Sequence, residues 1–479
     1  MIRPLACLFV SLSFAGVAAA RDLVGVYEDA LRSDPQLHQA DANRLASREA
    51  RPQAWAALLP QIDATLARTQ DKRDGTQPRV DTTTGLPLPG SYELSSDTIS
   101  KSWNLNLREN LFSWSNWMAV KQADKEVVQA EATYRAAEQN LILRVAQAYF
   151  NVLSALDGLE ANQASLEAIS RQLDQANKRF EVGLIAITDV QEAKAAHDTA
   201  AAAVIAAKRT LATAGDQLSE ITGQKYDALS KPGPDMPLNS PDPASVDRWV
   251  TVSLDQNVSL LSSRLAADIA RENVRIAFGG HIPTLDLFAS KSRTLNDTTE
   301  SIPAFGPPFG QNTTTNDKQY TLQITVPIFS GGFTQSRVRQ AQYQWIAAKE
   351  GVVQASRATE RQARDAYLGV ISGIARVQAL RQALESSQTA LKATEAGYEV
   401  GTRTAVDVLN SRRTLVQAQT DYAVSRYDYI VSVIQLRLAA GSLSRVDVDE
   451  INKLLAVSAP TVPAQPIEAP PPSANPPQG

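Results

Sequence analysis

Along most of the chain apolar residues recur every three or four positions. Val120, Ala123, Val127, Ala130, Tyr134, Ala137 and Leu141 keep the spacing of a coiled-coil seam. Arg144 interrupts the stripe, which resumes at Val145, Ala148, Val152, Ala155 and Leu159 one four-residue step along, a shift that changes the local supercoil. From Trp114 to about Phe180 there is no proline and only one glycine, Gly158, and Thr334 to Glu399 is likewise free of proline. Two very long helices are predicted, since some 65 residues at 1.5 Å each span about 100 Å. Alanine at many seam positions allows them to approach closely and pack laterally.

Two shorter stretches alternate instead. Trp103, Leu105 and Leu107 alternate with Asn104, Asn106 and Arg108, and Tyr320, Leu322, Ile324 and Val326 with Thr321, Gln323 and Thr325. Period two over about seven residues is a strand with one apolar and one polar face. Ile62 to Leu66 and Leu285 to Leu287 are less regular partners. Polar loops are expected between partners, about Asp71 to Thr98 and Asn296 to Asp317, with nothing more basic than Lys72-Arg73. Trp103, Phe112, Phe288, Tyr320 and Phe329 near the strand ends suit the aromatic rim of a membrane barrel. A half-buried soluble hairpin fits the alternation equally well.

Each strand pair follows a helical stretch, Leu23 to Ala57 with breaks at Pro35 and Pro52, and Val246 to Phe278. These stop by Leu59-Pro60 and Ile282-Pro283. Each long helix ends at a glycine, Gly183 or Gly401, placed to adopt positive φ. Thr188 with Gln191 has capping-box spacing and Thr404 with Asp407 resembles one. Return helices, about Asp189 to Ile221 and Val406 to Ala440, run to Gly223 and Gly441.

The chain therefore repeats itself. Phe180-Glu181-Val182-Gly183 recurs as Tyr398-Glu399-Val400-Gly401, Asp189-Val190 as Asp407-Val408 and Gly223 as Gly441, all 218 residues on. Solenoid repeats are far shorter. The expected organisation is a first repeat over 21–223, a linker 224–243, a second repeat 244–441, a C-terminal segment 442–459 and a tail 460–479. Four strands cannot close around a pore, so a barrel needs several chains, three of them giving twelve strands.

Composition narrows the function. The 479 residues carry 47 Lys+Arg against 51 Asp+Glu, a net charge of -4 that argues against nucleic-acid binding. One cysteine, Cys7, and the scattered His38, His197 and His281 leave almost no material for a zinc or iron site, and no cofactor is implied. Arg3, the apolar run Leu5 to Val17 and Ala18-Ala19-Ala20 read as a signal peptide over 1–20, removed on export. Cys7 precedes the apolar run, which argues against lipid attachment there. After it no stretch of about 18 apolar residues occurs, which excludes an ordinary membrane helix but not a barrel. Nucleophile-elbow, zinc-protease and phosphate-loop motifs are missing, so an enzyme is not expected. The last 20 residues hold 8 of the 25 prolines and read as a disordered, polyproline-like tail. The competing class is a secreted or surface coiled-coil structural protein without a pore.

Leu59-Pro60-Gln61, Leu111-Phe112-Ser113-Trp114-Ser115, Phe180 to Val190, Pro327-Ile328-Phe329-Ser330-Gly331-Gly332 and Tyr398 to Leu409 strongly resemble the TolC-type family of outer-membrane efflux channels of Gram-negative bacteria. The likeness covers about Asp22 to Leu455. It implies a mainly α protein with a membrane β-barrel: a homotrimer with a 12-stranded barrel in the outer membrane and a 12-helix α-barrel tunnel through the periplasm. The linker after Gly223 and the segment after Gly441 would form an equatorial belt. The implied partners are outer-membrane lipid, a periplasmic adaptor (membrane fusion) protein and an inner-membrane RND, ABC or MFS transporter, in multidrug efflux or type I secretion. Residue by residue, the resemblance assigns a gate latch to Thr188, Asp189, Tyr398 and Arg403. It assigns adaptor docking to Val182, Gly183 and Leu184 with Val400, Gly401 and Thr402. The family's acidic constriction uses two aspartates on successive turns; Asp407 matches the first, while Asn410 stands at the second. Asn410 carries no charge, so one carboxylate per chain is left there, and weaker cation selectivity and divalent-cation block are expected.

Overall fold

The computed structural model describes residues 20–81, 83–303 and 306–461. The segment read as a signal peptide, except Ala20, and the proline-rich tail, except Pro460 and Thr461, lie outside them. In chain order the elements are α1 (Leu23–Ser33), α2 (Pro35–Arg48), α3 (Ala50–Ala56), β1 (Gln61–Val80), β2 (Pro87–Phe112), α4 (Trp114–Glu181), α5 (Ile187–Thr222) and β3 (Ala228–Pro232). They continue with α6 (Val246–Gln256), α7 (Val258–Phe278), β4 (Thr284–Ser301), β5 (Phe309–Thr325), α8 (Phe333–Glu399), α9 (Ala405–Ala439), α10 (Arg445–Asn452) and β6 (Leu455–Pro460). Among the described residues no helix is long and apolar enough to cross a membrane. The expected break at Pro35 falls at Asp34, but the one expected at Pro52 falls at Glu49. Pro52 sits in the first turn of α3, where its missing N–H has no partner to lose.

The described residues divide into two compact units, one of 45–130 and 263–352, the other of 20–44, 131–262 and 353–461. The first holds an antiparallel sheet in the order β1-β2-β4-β5. Its strands have 20, 26, 18 and 17 residues, so most of the two stretches expected as long loops is paired strand. Backbone pairing continues there without a period-two signal, because both faces are polar and the ladder is held by Ser, Thr and Asn. Thr98 and Thr298 hydroxyls meet at 3.2 Å and the Ser100 hydroxyl donates to Asn296 at 2.8 Å. Register puts Ile62, Leu66, Trp103, Leu105, Leu107, Leu287, Tyr320, Leu322 and Ile324 on one face. Along β2 and β4 this face is the more exposed, hence convex, and the polar face is concave. Leu66 is 83% and Ile324 68% exposed, so the apolar face is bare rather than half-buried. At the helical end of this unit Lys125 and Arg275 both bond the buried Glu272, at 2.8 and 3.0 Å.

The second unit packs α1, α10 and the paired strands β3 and β6 around the middle of α4 and the far ends of α5 and α9. Here α4 is buried on a broad face that includes Leu141, Ile142, Val145, Tyr149, Leu153 and Leu156, wider than a two-residue seam. Tyr149 lies edge-on to Phe150, which stacks on Tyr427 at 5.6 Å. Arg144, the break in the seam, reaches the buried Asp34 with two hydrogen bonds of 3.2 and 2.6 Å. Asp34 in turn accepts the Leu37 N–H at 2.9 Å, capping α2. Pro460 pairs with Ala228, and the Thr461 N–H bonds the Asp227 carbonyl at 2.8 Å, so the tail's first two residues extend the sheet.

Gly223 and Gly441 end the return helices at φ 69° and 72°. Their surroundings differ. A Cβ on Gly441 would come within 2.7 Å of the Gln256 carbonyl carbon and 2.8 Å of Asn257 Cα, whereas at Gly223 the nearest atom is the Ser33 Cβ at 3.4 Å. Both alanine variants incur left-handed strain of about 1–2 kcal/mol. Gly441→Ala also forces backbone apart and is expected to cost about 3 kcal/mol or more. Denaturant midpoints of the two variants in detergent check the order.

Candidate functional site

The two glycine turns have the same construction. After α4 the Gly183 N–H bonds the Phe180 carbonyl and the Leu184 N–H the Arg179 carbonyl, both at 2.9 Å. After α8 the Gly401 N–H bonds Tyr398 at 3.1 Å and the Thr402 N–H bonds Gly397 at 2.8 Å. Each is a Schellman motif, which needs a left-handed residue, and both glycines have φ 77°. The turns expose apolar side chains: Val182 is 69%, Leu184 73% and Val400 75% exposed, with Thr402 also open. Each turn thus forms a small apolar knuckle that no described residue covers.

The return helices start differently. Thr404 caps α9: its hydroxyl accepts the Asp407 N–H at 3.2 Å while Asp407 accepts the Thr404 N–H at 2.9 Å, a complete capping box. The equivalent cap of α5 is Ala186, with no side-chain bond, so the Thr188–Gln191 box does not form. Thr188 is exposed one position inside the helix, and Asp189 follows in the first turn, well placed for the helix dipole. The Thr404 N–H and hydroxyl, with the Arg403 charge nearby, hold the Asp407 carboxyl below the usual carboxylate range. Asn410 is exposed one turn further along α9.

Contacts that the sequence did not announce hold the two hairpins side by side. The Arg179 guanidinium lies over the Tyr398 ring at 5.4 Å, joining the ends of α4 and α8. Ile169, Ala196 and Leu409 form a small core between α4, α5 and α9. Arg412 pairs with Glu395, and the Ser411 hydroxyl donates to Thr394 at 3.2 Å, tying α9 to α8. Of the four latch residues, Tyr398 and Arg403 make no hydrogen bond to Thr188 or Asp189 within the chain, as far as the described residues go. The only sequence signal for Arg179 was its place four residues before Gly183.

A sheet with a bare apolar face, together with helices of 68 and 67 residues that return through exposed glycine turns, defines an outer-membrane channel protein. The sequence matches the outer membrane efflux protein family over residues 26–224 and 249–442, and the chain belongs to that family. It is 36% identical to the outer membrane protein TolC of Vibrio cholerae over 460 residues, 95% of this chain and 100% of that protein. It is 28% identical to the alkaline protease secretion protein AprF of Pseudomonas aeruginosa over 438 residues, 90% of this chain and 87% of the other. The solved outer membrane protein VceC of Vibrio cholerae has the same fold, with a TM-score of 0.66 at 21% identity over 88% of this chain and 96% of that one. Members of this family are conduits and not enzymes.

Proposed function

We propose that three copies of this chain form one passive conduit, a 12-stranded barrel in the outer membrane continued by a 12-helix tunnel in the periplasm. The observation that carries this is the open sheet. Among the described residues its outer strands β1 and β5 each have an unpaired edge, and its apolar face is bare. An open edge does not persist in lipid, so the edges must pair with other copies. The paired strands β3 and β6, from the segments after Gly223 and Gly441, would form the belt. A coiled-coil protein without a pore leaves the apolar convex face unexplained. Membrane fractionation and the mass of the heat-sensitive oligomer in mild detergent test the reading: a membrane-bound trimer is expected, and a soluble periplasmic monomer would defeat it.

The knuckles at Val182, Gly183, Leu184, Val400, Gly401 and Thr402 would dock a periplasmic adaptor, through which an RND, ABC or MFS transporter supplies energy and cargo. The likeness to AprF supports protein secretion beside small-molecule efflux. Thr188 and Asp189 would latch onto Tyr398 and Arg403 when the chains close together. Each such bond is weak where water reaches it, which suits a gate that opens.

Asp407 would then line the mouth as three carboxylates, with Asn410 leaving a second ring empty. Three charges about 10 Å from the ion, in water with screening at ~0.1 M salt, enrich cations about twofold and deplete anions about twofold, so the cation-to-anion ratio changes by about fourfold. Asp407→Asn is expected to lower the cation-to-anion permeability ratio by about that factor, and Asn410→Asp to raise it. Because the Asp407 carboxyl titrates below its ordinary range, its charge persists above that value and is lost only as pH falls through it. Single-channel reversal potentials should therefore be flat between about pH 8 and pH 5, and unchanged potentials in both variants would remove Asp407 from the constriction.

A further inference from the structure

The convex face of the sheet carries a second feature beyond its apolar band. Moving away from the helical end, the apolar run on this face ends at Leu66 on β1, Trp103 on β2, Ala289 on β4 and Tyr320 on β5, with Ile99 and Leu295 apolar again beyond it. On every strand the next residue on that face is basic: Arg68, Lys101, Lys291 and Lys318, with Arg293 one step further on β4. The band's edge steps by four residues between the β1/β2 and β4/β5 pairs, and the cations step with it, so they follow its border. All five are exposed. None has an ion-pair partner among the described residues, and only Lys291 makes a further contact, over the Trp103 ring at 5.8 Å. Register sets Arg68 directly opposite Lys101 and Lys291 directly opposite Lys318. Like charges so placed repel, and no acidic residue shares the face from the band's edge out to Leu295. Sequence reading misses the cluster because its members lie in four segments and meet only through strand register.

We propose that this basic border binds the phosphorylated headgroups of outer-leaflet lipid, the anions relieving both cross-strand repulsions. The inference rests on the barrel reading, which puts the sheet's hairpin end on the outer side of the membrane. Phosphate takes such paired cations through charge-assisted hydrogen bonds, and a lipid anchored by its acyl chains would present it at the band's edge.

The test uses the full chain reconstituted in phosphatidylcholine vesicles, alone or with added bisphosphorylated lipid A, its dephosphorylated form, or free inorganic pyrophosphate. The temperature at which the heat-sensitive oligomer dissociates is the readout. Lipid A is expected to raise it by several degrees, with the dephosphorylated lipid and pyrophosphate having little effect. The K291Q/K318Q/R68Q/K101Q variant should lose the gain and the corresponding lysine-arginine exchange variant, K291R/K318R/R68K/K101R, should keep it. Equal stabilisation by dephosphorylated lipid overturns the proposal without any variant. Stabilisation by pyrophosphate alone assigns the border to free anions and overturns the lipid. Insertion with indifference to all three overturns the border proposal only, whereas failure to insert into any vesicle overturns the barrel reading beneath it.

Discussion

Leucine at Gly183 and Gly401 is expected to abolish transport while leaving the oligomer in the membrane. Both glycines have φ 77°, and a Cβ at either would meet no atom within 4 Å. The only cost to the chain is then left-handed strain, about 1–2 kcal/mol at each turn. That is small beside the core around α4. What changes is the knuckle: two branched side chains are added between Val182 and Leu184, and between Val400 and Thr402, where an adaptor would have to approach the backbone. Cells carrying only the double variant should show the drug sensitivity of cells without the channel, with wild-type amounts of heat-sensitive oligomer. Asparagine, which tolerates left-handed backbone, should leave part of the transport. Loss of the oligomer in step with loss of transport would make the glycines structural, and full transport would remove the knuckles from docking.

How much of this was legible in the sequence depends on whether a feature is governed locally. The long helices, the glycine turns and the Thr404–Asp407 box follow short-range rules, and the structure has them. The strand lengths are not local. Beyond the apolar band, Thr69 to Val80 and Asp297 to Ser301 have no alternation to read, yet every one of these residues but Arg79, at a register shift, is paired across the sheet. The duplication also misleads at α5, where the position equivalent to Thr404 is Ala186, so Thr188 takes a place inside the helix rather than its cap. The docking and gating residues are proposals carried by the resemblance alone, whereas Arg179 over Tyr398 required the hairpins to be side by side. The broad burial of α4 between Leu141 and Leu156 likewise comes from partners distant in sequence, from Leu23 in α1 and Leu218 in α5 to Ile451 in α10.

Arg144→Leu should be the most destabilising single change outside the turns. In the seam pattern Arg144 is an intrusion, and leucine there would look like a repair. The structure reverses that expectation, because Asp34 is 1% exposed and Arg144 supplies its counter-charge. Burial works against the Asp34 carboxylate, but the Arg144 hydrogen bonds, the Leu37 N–H and the Arg144 charge more than offset it and leave its pKa below the ordinary value. Removing one partner of a buried pair costs about 3–5 kcal/mol. The sign with pH follows: in the native chain the pair's contribution is present above the unfolded carboxylate value near 3.9 and is lost as pH falls through the lower folded one. In Arg144→Leu burial is opposed only by the Leu37 and Gln36 N–H groups, so the carboxyl's pKa rises and the loss relative to native should be largest at pH 7 and shrink in acid. Adding Asp34→Asn removes the stranded charge yet keeps an acceptor for the Leu37 N–H. The double variant should recover most of the stability, as guanidinium midpoints in detergent would show. A single variant as stable as the native chain at pH 7, or a double variant no better than the single, would mean that the seam, and not the ion pair, sets the stability at this step of α4.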